Sequence, residues 1–228
     1  VIIKPKISIL EWALENFCVR GKPISFREYS YMPEMLLDNH YDNVILKSVQ
    51  VGASEMAIIT ALYFCVEFGA TCIFYFPNEA AVRDFAQQRV DGSINNSPAL
   101  YKLVYGDMDK KTYYRKSKRI DKVSLKKIGK GHLYLRGTST ELSVASVASD
   151  VILLDEYDQM NQEYISKAEN RMTNSDIKRI DRFSTPVYPD GPIEDEFKRS
   201  DMRLWHVRCE HCNEWQNLDY ERHFVRRI

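Results

Sequence analysis

The chain has 228 residues with 32 Lys+Arg against 32 Asp+Glu, 44% hydrophobic and 28% charged residues. This is the composition of a globular domain large enough to bury its own core, and it excludes disordered, collagen-like and disulfide-built classes. No apolar run approaches the roughly 20 residues that span a bilayer, and the first residues, Val1-Ile2-Ile3-Lys4-Pro5, lack a signal-peptide layout, so an intracellular protein without a membrane partner is expected. The absence of an initial Met predicts a piece of a longer protein.

In chain order, apolar residues at helical spacing predict a helix over 6–20, stopped by Gly21-Lys22-Pro23. From Tyr41 the pattern alternates: strand 44–47, an amphipathic helix 54–67, strand 71–76, and helix 79–90 after Pro77. A short helix near 98–104 follows, then two strands within 122–136 around Gly129-Lys130-Gly131, strand 151–154, helix 161–173 and strand 179–183. Such alternation predicts an α/β fold with a mostly parallel sheet flanked by helices, its first strand, Val44-Ile45-Leu46, apolar enough to be central. Residues 203–228 read as a separate small β or zinc element.

Residues 102–136 carry twelve Lys/Arg against three Asp, with Tyr105, Tyr113 and Tyr114 interleaved. They form either a phosphate-facing surface for nucleic acid or a solvated basic hairpin. Cys18, Cys65 and Cys72 lie in apolar segments and are expected to be inert. Cys209 and Cys212 differ, because two intervening residues let both sulfurs face one Zn²⁺. They are half a site, to be completed by His206, His211 or His223 or by ligands beyond residue 228, and a free dithiol is the alternative.

The strand at 44–46 runs into Lys47-Ser48-Val49-Gln50-Val51-Gly52-Ala53-Ser54 and then a helix, the strand-loop-helix context of a phosphate-binding loop. Gly52 takes the second glycine of the motif and Ser54 the Mg²⁺-binding hydroxyl; Ala53 stands where the lysine belongs, and Lys47 at the loop entrance supplies the cation. The other reading of this string is an N-cap formed by Ser54. Further along, Val151-Ile152-Leu153-Leu154-Asp155-Glu156 is an aliphatic strand ending in paired carboxylates, the Walker B arrangement, in which Asp155 holds Mg²⁺ and Glu156 polarises water; a strand ending at a charged turn is the alternative. Ser184-Thr185-Pro186 closes the next strand, where hydroxyls can sense the γ-phosphate or hold the catalytic water; taken alone the string is only a turn. Phe26–Pro33, upstream, is either a face for adenine or a packing segment.

With these motifs in order, the chain resembles the large terminase subunit of tailed bacteriophages, in its lambda-like class. The resemblance runs from about Ser25 to Leu218 and rests on the Phe26-Arg27…Pro33 segment, the loop with its displaced Lys47, Leu153-Leu154-Asp155-Glu156, Ser184-Thr185-Pro186, and His206-x-x-Cys209-x-His211-Cys212 followed by Gln216 and Leu218. It implies a RecA/ASCE-like P-loop NTPase domain over 41–202, preceded by an N-terminal helix and adenine-side segment over 1–40. A small zinc-ribbon-like linker would start at 203–228, with the nuclease domain absent. It implies ATP and Mg²⁺ as cofactors, with Lys47, Ser48, Gln50, Val51, Gly52, Ala53, Ser54 and Asp155 around the nucleotide, Lys47 and Glu156 catalytic, and Ser184, Thr185 and Pro186 coupling hydrolysis to DNA movement. Double-stranded DNA, a portal protein, a small terminase subunit and further copies in a ring are the implied partners, and the host cytoplasm the implied place. Members often carry an arginine before the Walker B strand; Leu142–Ser149 has none, leaving Arg136 or a neighbouring subunit to supply that charge. A helicase-like ATPase and a zinc-dependent nucleic-acid-binding module with a vestigial loop are the competing expectations.

Overall fold

The structure is a computed structural model and describes residues 7–109, 111–112 and 121–217. Its first helix, α1 (Ile9–Asn16), opens on a reciprocal cap: the Glu11 amide donates to Ser8 Oγ at 3.2 Å and the Ser8 amide to Glu11 Oε2 at 2.9 Å. It is shorter than the predicted 6–20. Phe17 turns extended and the chain folds into a hairpin of β1 (Cys18–Val19) and β2 (Lys22–Pro23), with Gly21 at φ 76° in the turn.

After α2 (Met32–Leu37) comes the main sheet, of seven strands among the described residues. They are β3 (Asp42–Leu46), β4 (Thr71–Phe76), β5 (Asp121–Lys122), β6 (Leu125–Ile128), β7 (Gly131–Gly137), β8 (Val151–Asp155) and β9 (Arg179–Ser184), in the order β3-β9-β8-β4-β7-β6-β5. The pairs from β3 to β7 are parallel; β6 and β5 join antiparallel at one edge. The expected α/β architecture is present, but β3 takes the other edge of the described sheet and not its centre. Among the described residues it pairs with β9 alone, and its residues are half-buried or exposed.

Helices cover both faces. Along β4 and β8 successive side chains alternate between them, as a pleated strand requires. Cys72, Phe74, Phe76, Val151 and Leu153 join one apolar cluster with α1, α3 (Ala53–Tyr63), α4 (Glu79–Asp84), α5 (Gly92–Asn95) and α6 (Pro98–Tyr105). Ile73, Tyr75, Ile152 and Leu154 join the other, with Val144 of α7 (Glu141–Ala145), Ile165 and Ala168 of α8 (Gln162–Glu169) and Ile193 of α9 (Pro192–Lys198). Because α1 packs on its outer side, α3 is buried on every face from Met56 to Tyr63 rather than amphipathic. Its last turns relax into a π-helix at Phe64–Phe68, and α4 likewise continues as a π-helix at Phe85–Asp91. The predicted helix 161–173 ends earlier, as α8 followed by a 3₁₀ turn at Asn170–Met172.

The last described elements, β10 (His206–Arg208) and β11 (Trp215–Asn217), form a hairpin that carries Cys209 and Cys212 in its turn. No helix among the described residues is long and apolar enough to cross a membrane.

Candidate functional site

Parallel pairing sets the ends of β3, β8 and β9 side by side. Leu46 lies opposite Ser184, Phe183 opposite Asp155, and the Lys47 amide donates to the Ser184 carbonyl at 3.0 Å. The residues that follow these strands therefore meet at the sheet's C-terminal edge, where α/β proteins bind their ligands.

Four side chains converge there. Lys47 Nζ donates to Glu156 Oε1 at 2.8 Å and lies 3.9 Å from Asp155 Oδ1. Ser54 Oγ donates to Asp155 Oδ2 at 3.2 Å. Lys47 and Asp155 keep only 9% and 10% of their side-chain surface exposed, whereas Glu156 keeps 36%. Burial pushes the Asp155 carboxyl above the usual aspartate range and the neighbouring Glu156 adds to this, while Lys47 and the Ser54 hydroxyl pull the other way.

The loop is held from outside. Tyr31 donates its hydroxyl to the Val51 carbonyl at 2.7 Å, and Tyr29 and Tyr31 pack edge to face at 6.2 Å. Gly52 has φ 75°, and a Cβ there would stand 3.2 Å from Met32 Sδ, so the loop needs glycine for both its backbone and the close approach. Phe26–Pro33 thus packs on the loop. Gln50 and Glu156 also sit in the left-handed region, at φ 61° and 60°, a conformation that costs an L-residue about 1 kcal/mol and clusters at functional sites.

The N-cap of α3 is Gly52, which offers no side-chain bond; Ser54 lies inside the helix and points at Asp155. This removes the N-cap reading of Ser54 and leaves first-turn amides of an eleven-residue helix without a capping side chain. Asp155 Oδ1 is buried without a hydrogen-bond partner. One orphaned carboxylate oxygen beside a serine hydroxyl is a donor set that fits Mg²⁺, which takes one or two protein oxygens and completes its shell with water and phosphate.

Ser48 and Gln50 are exposed along the loop, and Ala53 is buried at the start of α3. Ser184 is fully buried and Pro186 partly so, and Thr185 Oγ1 is a buried hydroxyl without a partner. Arg136 contacts Tyr134, the Ser143 carbonyl and Ser146 Oγ. A cavity of about 360 Å³ lined by Thr71, Ser149, Asp150, Arg171 and Ser175 opens where β4 and β8 begin, at the opposite end of the sheet, and has no part in this cluster.

Among the described residues, no group of three or more His, Cys, Asp or Glu side chains is placed to hold a metal. Cys209 and Cys212 stand free, the Cys209 thiol held below its usual range by the amides of Cys212 and His211. Burial pushes the Cys72 thiol far up, consistent with an inert core thiol. His223 and Leu218 lie outside the described residues, as does the centre of the basic segment; within the rest of it, Lys126 pairs with Asp91 at 3.0 Å and Lys102 with Asp107 at 3.4 Å. Sequence reading missed Asp158, whose buried carboxylate binds the chain beyond Pro186. Its place three residues after Asp155 was the available signal.

The family described as phage terminase large subunit gpA, ATPase domain, matches residues 29–226. The chain belongs to this family. A large terminase subunit of Enterobacteria phage P21 is 24% identical over 187 residues, 77% of this chain; the chain spans 28% of that relative's length. Among solved structures, a mutant ATPase domain of the Thermus phage P74-26 large terminase superposes with TM-score 0.57 at 14% identity, over 82% of this chain and 76% of that one. A second structure of that ATPase domain gives TM-score 0.50 at 15% identity over 68% and 63%. At such identities the likeness is one of fold, and it agrees with the sheet and flanking helices described above.

Proposed function

We propose that this terminase-family ATPase domain is the motor that couples ATP hydrolysis to translocation of double-stranded DNA into a procapsid. The observation that carries the reading is the convergence of Lys47, Ser54, Asp155 and Glu156 at one edge of the sheet.

In this reading the amides of Ser48, Gln50, Val51, Gly52, Ala53 and Ser54 cradle the phosphates, and Lys47 supplies the cation that the residue before Ser54 provides in an ordinary phosphate loop. Ser54 and Asp155 hold Mg²⁺, which neutralises charge on the phosphate oxygens when bound. Glu156, more exposed than Asp155, orients and polarises the attacking water. Ser184, Thr185 and Pro186, one strand away, couple the γ-phosphate to movement of DNA. Phosphoryl transfer leaves the protein mainly positioning and charge stabilisation to do, and rigid strand ends suit that task.

The working assembly is a homo-oligomeric ring that meets a portal protein and a small terminase subunit in the host cytoplasm, with a neighbour's arginine completing each site. The deciding experiment is Mg²⁺-dependent ATP hydrolysis by the chain with and without double-stranded DNA, beside Glu156→Gln. Turnover lost in the variant supports the reading; equal turnover in both overturns it.

A further inference from the structure

We propose that Asp158 is a positioning residue that carries the state of the Glu156 turn to the segment after Ser184-Thr185-Pro186, an inference that rests on the ATPase reading above. After β8 the chain passes through Glu156 and makes one 3₁₀ turn at Tyr157–Gln159, which brings Asp158 inward to 7% exposure. From there Asp158 binds the following segment at three points. Its amide donates to Ser184 Oγ at 3.2 Å, its Oδ2 accepts from the Val187 amide at 2.9 Å, and its Oδ1 accepts from the Ile193 amide at 2.7 Å.

These bonds serve groups that would otherwise be lost. The Ile193 amide lies in the first turn of α9, where amides have no intrahelical partner, and Ile193 is fully buried. The approach is tight enough that a Cβ at Gly191 would stand 2.8 Å from Asp158 Oδ2 and 3.1 Å from the Tyr188 carbonyl. Tyr157, beside it, is packed in the same apolar cluster as Ile152, Leu154 and Ile193. The link between turn and segment is therefore stiff on both its polar and apolar sides.

Glu156 is the moving end. Its backbone occupies the left-handed basin, an uncommon conformation for a non-glycine residue that clusters at functional sites. Its side chain is bonded to Lys47, and phosphate oxygens compete for that same cation. Releasing Glu156 alters the restraint on the turn two residues before Asp158, and Asp158 passes the change to residues 187–193. There Val187 and Tyr188 are 58% and 51% exposed, so the far end of the link reaches the molecular surface.

The test is hydrogen-deuterium exchange on the whole chain with Mg²⁺ and a non-hydrolysable ATP analogue. In the wild type, exchange should change in the loop at 48–54 and also, by about tenfold, at the Val187 and Ile193 amides. In Asp158→Asn, which replaces one acceptor oxygen by a donor, the response at the loop should persist while that at Val187 and Ile193 is lost. A purely structural clasp would loosen both amides in the variant but leave them deaf to nucleotide in the wild type. Analogue that binds and changes the loop alone, or an unchanged response in Asp158→Asn, overturns the inference and leaves the ATPase reading standing. Analogue that does not bind overturns both. Ser184→Ala, which removes the acceptor of the Asp158 amide together with the hydroxyl's own bond to the Thr185 carbonyl, takes the place of Asp158→Asn if circular dichroism shows that variant unfolded, and the wild-type comparison decides by itself if neither folds.

Discussion

Lys47 Nζ and Glu156 Oε1 are bonded at 2.8 Å, so the loop's cation and the proposed water-activating carboxylate hold each other across the end of β9, which lies between β3 and β8. Any phosphate that draws Lys47 away also frees Glu156. On the ATPase reading proposed above, the pair ties the competence of the base to the arrival of its substrate.

Glu156→Gln keeps the side chain's size and its acceptor oxygen but removes the charge. Nucleotide should still bind, and hydrolysis should fall by about a hundredfold or more, the range for removing a positioned base. Titration with a fluorescent ATP analogue beside a phosphate-release assay separates the two effects.

Lys47→Ala removes the cation that pairs with both Asp155 and Glu156. Affinity for Mg-ATP should drop about tenfold or more, as expected for a lost charge-assisted bond. Wild-type affinity in calorimetry would show that the displaced lysine does not touch phosphate.

Asp155→Asn separates stability from function. Burial raises this carboxyl above its usual 3.8, so the folded chain holds the proton more tightly than the unfolded chain. Stability then falls as pH rises through and beyond the ordinary aspartate range. At neutral pH the substitution should raise the melting temperature measured without Mg²⁺, by about 2–4 °C for each kcal/mol recovered. It should also abolish Mg²⁺-dependent nucleotide binding, which in the wild type weakens on acidification at a higher pH than an ordinary aspartate would set.

Arg136→Ala tests whether this arginine serves the site. Its guanidinium holds the turn at 143–146 and stacks on Tyr134 at 5.2 Å from the ring centroid. The expected result is a stability loss of about 1–2 kcal/mol with turnover kept. Turnover lost without a change in melting temperature would assign Arg136 to catalysis instead.

The strands and the cluster at their ends were legible because both signals are local. Apolar runs fix β4 and β8 nearly to the residue, and a strand that must end at one edge of a parallel sheet delivers Lys47 and Asp155 to the same place. Short α2, α7 and α9 escaped notice, since five to seven residues carry too little periodicity to read. The burial of α3 on all sides and the edge position of β3 depend on which elements pack beside them, which no window of sequence contains. Asp158 was missed for the same reason: the amides it binds lie 29 and 35 residues away.

The hydroxyl of Tyr31 on the Val51 carbonyl, with Met32 against Gly52, bears on affinity as well as on shape. A glycine-containing loop that closes only around its ligand gives up conformational entropy at the moment of binding, about 1–2 kcal/mol for each residue fixed. Here Tyr31 and Met32 brace the loop at Val51 and Gly52 as part of the fold itself. Tyr31→Phe should therefore weaken nucleotide binding about five- to tenfold through the entropy of association, visible in calorimetry as a less favourable −TΔS at nearly constant ΔH, although Tyr31 itself belongs to the support of the loop and lies on its outer side.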